Sequence, residues 1–324
     1  MIDMDDLAQL SLYDRSSLQD RAAQVEARTA DALAAAATFP LPQRPHGGVI
    51  LLDLPGSLAG VARLVEAFSQ EWATPPVLRW QPPLTQLPLP QVIFTARPQA
   101  LAPGLPDPTR LVDLSTEIQE GSHPARVFLF LLGLLSRWGG PVDAQALLAG
   151  VDPQLPGMAA WLPRSPQAEN PAKQLALAIH ERTPLFWAWE PLVGVAQDWS
   201  QRLILYAEAS AAWASGQDLT HLQVMARFPR YWHHITTFVQ LTGPPGPGGE
   251  AGELHRRTDA FRLLLEKRRA ERVEVPSPGE VSGVVAAWRL LELGEWVALY
   301  SASLYGVDPA DRVPLAFLDA MMER

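Results

Sequence analysis

Three places in this sequence hold residues whose type and position could do chemistry. Pro55-Gly56-Ser57 follows the apolar run Val49 to Leu54 and opens a stretch with helical spacing. The Ser57 hydroxyl would then sit at a helix N-terminus, where an anion can be held. Pro-Gly-Ser is also a common turn, and Pro55 removes one backbone N–H from any anion nest, so a plain strand-to-helix connection is the other reading. Arg126 opens the most apolar stretch of the chain, and a guanidinium there serves either a polar site or a structural ion pair. His233 and His234 are adjacent and cannot face one way on a helix. The seven histidines show no metal-ligand spacing and cysteine is absent, so no metal site, disulfide or thiol chemistry is expected, and no cofactor.

The elements that must position these residues follow from periodicity. Residues 5–37 predict two helical pieces. Val49 to Leu54 is a strand, and Leu58, Val61, Ala62, Val65, Phe68 and Ser69 repeat as one face of the helix after it. Further strands are expected at Val77–Trp80, Val92–Thr95 and Leu111–Leu114, before a helix near Pro124 that is buried on all sides. Four prolines between Thr95 and Arg110 break any helix there. The last two strands are therefore either not parallel neighbours or joined by an irregular crossover.

The proline-punctuated stretch Val151 to Gln167 is the natural boundary, giving domains of 1–155 and 156–324. The second half opens on Asn170-Pro171, a good N-cap and first helical position. Ala172, Leu175, Ala176 and Ile179 repeat behind it, and the short apolar run Leu185–Trp189 follows. A long helix begins at Leu192, with Leu205 turned toward Gln201 and Glu208 rather than into the apolar stripe. Leu222–Ala226 predicts a strand and Thr242–Gly252 a loop. Leu254–Ala270 and Glu280–Leu304 predict helices around a strand at Arg272–Val275, and a last helix runs from about Asp311. The fold class is α/β, two tandem doubly wound parallel-sheet units flanked by helices, and their similar element order suggests a duplication.

Composition narrows the function classes. At 48% hydrophobic and 19% charged residues, the 324-residue chain has material for two cores. A net charge of -9 argues against a nucleic-acid footprint, and the one dense basic cluster, Lys267, Arg268, Arg269 and Arg272, reads as a solvated helix end. The most apolar run, Val127–Leu135, is far short of the roughly 20 residues a membrane span needs. Met1 to Asp6 is acidic and lacks a basic leader region, which predicts a cytoplasmic location.

With these pieces placed, the chain resembles the bifunctional phosphoglucose/phosphomannose isomerases, which are built from two sugar isomerase (SIS) domains. The resemblance is carried by Asn170-Pro-Ala-Lys173 with Leu175-Ala176, the strand at Pro184, Ala196 with Trp199, and Pro229 followed by His233. Gly294-Glu-Trp296, Tyr300 and Gly306-Val-Asp-Pro309 continue it, and Met1 to Asp5 with Tyr13-Asp14 resembles the family's N-terminus. It is strongest after residue 165. It implies a homodimer that interconverts an aldose 6-phosphate and fructose 6-phosphate. Such chemistry needs a phosphate cradle, a ring-opening group, a carboxylate that moves a proton between C1 and C2, and a cation near the enediolate.

Residue by residue, the resemblance assigns Gly56 and Ser57 to the remnant of a GMGGS-like phosphate motif. Arg126 matches the active-site arginine, with Ala125 before it where the family usually has proline. His233 matches the ring-opening histidine that the dimer partner contributes, with Arg230 standing for Glu and Trp232 for Asn. The second phosphate loop, expected after Thr95, is replaced by Ala96-Arg-Pro-Gln-Ala. The catalytic glutamate falls on Leu205, which cannot move a proton, and the C-terminal lysine falls on Asp319; Lys173 and Lys267 are the only lysines, and neither replaces it. Glu208, about 60° from Leu205 on a helical wheel, is either a substitute base or a solvated side chain. The expected function is binding of a sugar phosphate or related carbohydrate derivative, with isomerisation lost or much weakened. The alternatives are a partner-regulating pseudoenzyme and an active isomerase with a relocated base.

Overall fold

The computed structural model describes residues 2–44, 49–69, 77–79, 91–96, 98, 110–119, 121–139, 144–219, 235–244, 251–276, 281–311 and 321. Helices α1 (Leu7–Tyr13), α2 (Leu18–Ala22) and α3 (Val25–Thr38) lead into β1 (Val49–Asp53), α4 (Ala59–Ser69), β2 (Val77–Arg79), β3 (Gln91–Thr95) and β4 (Arg110–Asp113). Helices α5 (Pro124–Ser136) and α6 (Ala144–Val151) close the first half. The second half runs α7 (Pro171–Ile179), β5 (Thr183–Ala188), α8 (Val193–Ala207), β6 (Ala212–Ser215), β7 (Thr236–Leu241), α9 (Ala251–Lys267), β8 (Glu271–Val275) and α10 (Gly283–Tyr305).

Both halves build a four-stranded parallel sheet in the same order, β2-β1-β3-β4 and β6-β5-β7-β8. In the first, Leu51 lies between Leu78 and Ile93; in the second, Phe186 lies between Trp213 and Val239. Strand β1 is buried at every residue, as a parallel strand covered on both faces must be. Helix α5 is buried from Val127 through Leu135, which its unbroken apolar run requires. At the start of α7 the Asn170 side chain accepts from the N–H groups of Ala172 and Lys173, with Pro171 as first helical residue. Lys173 is fully buried, its ammonium donating to Asp5 and to the carbonyls of Pro163 and Ser165, so it ties the N-terminus to the second half.

Several expectations change. The N-terminal segment makes three helices rather than two: the Asp14 carboxylate accepts from Leu18 and Gln19 N–H at 2.7 Å each where α2 starts, and the second expected piece is split at Ala23-Gln24 into α2 and α3. Strands β3 and β4 are parallel neighbours, which removes the first of the two options above. Strands β6 and β7 carry no expectation from the sequence, whereas the expected strand at 222–226, His233, Asp319 and the last helix lie outside the described residues.

The two sheets are joined through α8, which packs against both α4 and α10. At its crossing with α4, Gly60 and Gly194 face each other's backbone. A methyl group on Gly194 would lie 2.7 Å from Leu64 Cγ and would also strike the Gly60 carbonyl. Trp199 seats itself on Gly294 of α10 and donates its indole N–H to the Leu290 carbonyl at 2.8 Å.

Candidate ligand site

In open parallel sheets, ligands bind outside the carboxyl ends of the strands. At that end of the first sheet, the Thr95 hydroxyl donates to the buried Asp53 carboxylate at 2.7 Å, and the chain turns through Pro55 into a short 3-10 turn, Gly56–Leu58. The Ser57 hydroxyl is buried and has no hydrogen-bond partner among the described residues. Gly56 is exposed, and a Cβ there would meet open space, so the turn is not a tight cradle. The carbonyl of Gly56 accepts from Gln201 Nε2 on α8 at 2.9 Å. Leu205, one turn further along α8, is half-buried and packs on the apolar core.

Of the site residues expected from sequence, Gly56 and Ser57 therefore share this turn with α8. Helix α8 ends at Ala207. Glu208 is its cap, left-handed at φ 51° and exposed, so the wheel that set it beside Leu205 stops one residue before it. Arg126 sits at the head of α5 with all three guanidinium nitrogens engaged. Nε donates to Asp31 at 2.8 Å, Nη2 to the Glu117 carboxylate at 2.9 Å and Nη1 to the Glu117 carbonyl at 2.8 Å. Burial pulls its pKa down, and Glu117 and Asp31 more than reverse that.

A second set of ionisable groups occupies the neighbouring strip of α8 and has no counterpart among the residues singled out from sequence. Arg202 is fully buried. It donates to the Tyr206 hydroxyl and the Ser122 carbonyl at 3.1 Å each, and its Nε lies 3.7 Å from Asp198 and 3.8 Å from Glu295. Tyr206 in turn donates to Glu295 at 2.9 Å. Next to them on α10, Glu292 accepts from Arg28 of α3 at 2.6 Å, and His123 Nε2 stands 3.6 Å away, too far for a hydrogen bond.

Burial pushes Asp198 up to about 7 against the pull of Arg202, and Glu295 adds to the rise. Burial likewise pushes Glu292 up to about 7 against Arg28, again with Glu295 adding to it. His123 moves the other way. Burial, then Arg28 and Arg202, hold its pKa well below the ordinary value, which leaves the ring neutral at pH 7. The available sequence signal was the i,i+4 spacing of Asp198, Arg202 and Tyr206 on an otherwise apolar helix, together with Glu292 and Glu295 between Trp288 and Trp296.

No group of three or more His, Asp or Glu suited to a metal ion occurs among the described residues. None of their helices is long and apolar enough to cross a membrane.

Comparison with known proteins fits this architecture. Residues 168–321 match the family model of the bacterial phospho-glucose isomerase C-terminal SIS domain. A glucose-6-phosphate isomerase like protein from Thermus thermophilus is similar over 96% of this chain and 99% of its own, at 22% identity and TM-score 0.54. Tagatose-6-phosphate ketose/aldose isomerase from Escherichia coli is similar over 93% and 92%, at 12% identity and TM-score 0.56. The C-terminal domain of glucosamine-fructose-6-phosphate aminotransferase from Francisella tularensis is similar over 87% and 94%, at 9% identity and TM-score 0.56. No curated protein matches the chain by sequence. The fold is therefore of the SIS type, and residues 168–321 are those that match the C-terminal SIS domain.

Proposed function

We propose that this protein binds a sugar phosphate or closely related carbohydrate derivative and isomerises it poorly or not at all. The observation that carries the reading is on α8. The position that the isomerase resemblance assigns to the proton-carrying glutamate is Leu205, one turn from the side chain that holds the Gly56 carbonyl, and an alkyl group cannot shuttle a proton. Without a positioned acid-base group the rate falls about a hundredfold to ten-thousandfold. Binding would use the Ser57 hydroxyl, with Gly56 giving access, and Arg126 would contribute its charge while anchored by Asp31 and Glu117. His233 would complete the site from the partner of a cytoplasmic homodimer. The activities in the names of the similar proteins, isomerisation and amino transfer on 6-phosphorylated sugars, support this substrate class.

A thermal-shift titration with fructose 6-phosphate and mannose 6-phosphate, followed by a coupled isomerase assay on the same sample, tests this. Ligand at 100 times its Kd stabilises the fold by about 2.7 kcal/mol. The expected result is a shift with little or no turnover. Turnover at the rate of an ordinary isomerase, about 10 per second or more, would overturn the loss of catalysis; no shift would overturn sugar-phosphate binding and leave a partner-regulating role.

A further inference from the structure

We infer that Gln201 of α8 is a positioning residue for the turn at Gly56 and Ser57: it holds the Gly56 carbonyl so that the Ser57 amide N–H is fixed and polarised toward the phosphate group of a bound sugar phosphate. The inference rests on the sugar-phosphate reading above and adds to that site a group from the other half of the chain. Gln201 Nε2 donates to the Gly56 carbonyl at 2.9 Å, across 145 positions of sequence. The approach to the turn is open, since Gly56 is exposed and a Cβ on it would meet nothing within 4 Å.

The geometry of one peptide group carries the role. In a trans peptide the C=O and the N–H that follows it point in opposite directions. The Gly56 carbonyl accepts both from Gln201 and from the Ala59 N–H, so its two lone pairs are used. The Ser57 N–H of the same peptide is therefore turned the other way, and neither it nor the Gly56 N–H has a hydrogen-bond partner among the described residues. The 3-10 turn runs straight into α4, which makes these N–H groups the unpaired first donors of one continuous helix from Gly56 to Ser69. A donor on a carbonyl polarises its peptide and strengthens the N–H toward an anion.

This bond is not what keeps α4 in place. Gly60 and Gly194 bring the backbones of α4 and α8 together, and further along α4 the Arg63 guanidinium pairs with Glu190 at 2.8 Å and lies 5.3 Å over the Trp213 ring. With the helix tied to the second half at those points, losing the Gln201 bond frees one peptide group rather than an element. A single neutral hydrogen bond from a half-buried side chain adds little to stability, so its effect falls on the ligand. Gln201 precedes Leu205 by one turn, and the strip of α8 that lacks a base thus still shapes the phosphate end of the site.

Isothermal titration calorimetry of the full chain with fructose 6-phosphate, with the Ser57 amide proton followed by NMR, tests this role. Gln201→Met keeps the reach of the side chain and removes the donor. It should bind about tenfold more weakly, roughly 1.4 kcal/mol. Its Tm should match the wild type, and the downfield shift of the Ser57 amide on adding ligand should shrink. Gln201→Lys puts a donor back and should recover both the affinity and the Ser57 shift, which a side chain that only fills space would not do. Wild-type affinity in Gln201→Met, or no recovery in Gln201→Lys, overturns the inference while the sugar-phosphate reading stands. No binding by the wild type removes that reading and this role with it.

Discussion

Two neighbouring strips of α8 carry opposite chemistry. The strip that meets the Gly56 turn presents Gln201 and Leu205, an amide spent on a backbone carbonyl and an alkyl group. The strip beside it presents Asp198, Arg202 and Tyr206, buried and joined to Glu295 of α10. In a low-dielectric interior such charges are costly unless paired, so their retention has to be explained by what they connect. Here they connect α8, α10 and the loop at Ser122, while Arg28 and Glu292 beside them draw in α3. The chain has an apolar side chain where an isomerase would move a proton, and a set of titratable groups where it joins its helices.

The sharpest way to break this comparison is to unpair the charged strip. Arg202→Met leaves Asp198 and Glu295 buried without their cation and should cost about 3–5 kcal/mol in urea unfolding at pH 7. A loss of under about 1 kcal/mol, the range of an exposed pair, would show that the cluster is wetter than its burial indicates.

Next in size is the frame that holds both strips. Gly194→Ala forces α8 away from the Gly60 carbonyl and Leu64, and a loss of about 1–3 kcal/mol is expected, seen as a lowered Tm. Wild-type stability in that variant would mean that the two helices can separate freely.

Glu292→Gln sharpens the electrostatic side. A carboxyl whose folded pKa is raised stabilises the fold fully below its unfolded pKa, near 4.5, and loses that contribution as pH climbs through the folded value of about 7. The glutamine variant lacks this loss. Its stability relative to wild type should therefore improve between pH 5 and pH 8, by about 1–3 kcal/mol. His123, with its pKa lowered, works in the opposite direction below about pH 6.5, so the comparison belongs between variant and wild type rather than in either profile alone. A pH-independent difference would place Glu292 in water.

The smallest expected effect is at the end of α8. Glu208→Gln should change stability by less than about 0.5 kcal/mol and leave any residual isomerase rate and its pH profile unaltered, because the residue is an exposed cap. A lost rate with a shifted profile would instead make Glu208 the relocated base, and the two strips would no longer differ in kind.

Local signals carried much of the fold. Asn170 and Pro171 start α7 where a capping side chain and a fixed φ require it, and the unbroken run of α5 is buried throughout. Where the sequence lacked contrast, reading it fell short. β7 is buried at all six residues, so it has no alternation to mark it, and β6 is a short edge strand with Trp213 partly exposed. The split between α2 and α3 falls at Ala23-Gln24, where no Gly or Pro announces it.

The sequence by itself determined the α/β class, the turn at Gly56 and Ser57, and the apolar residue at 205, because each depends on residues adjacent along the chain or one helical turn apart. Only the tertiary structure decided what the ionisable side chains do. Arg126 meets Asp31 across 95 positions, Arg28 meets Glu292 across 264, and Tyr206 meets Glu295 across 89. Whether a charge is solvated or paired depends on which distant helices close over it, and no local spacing encodes that.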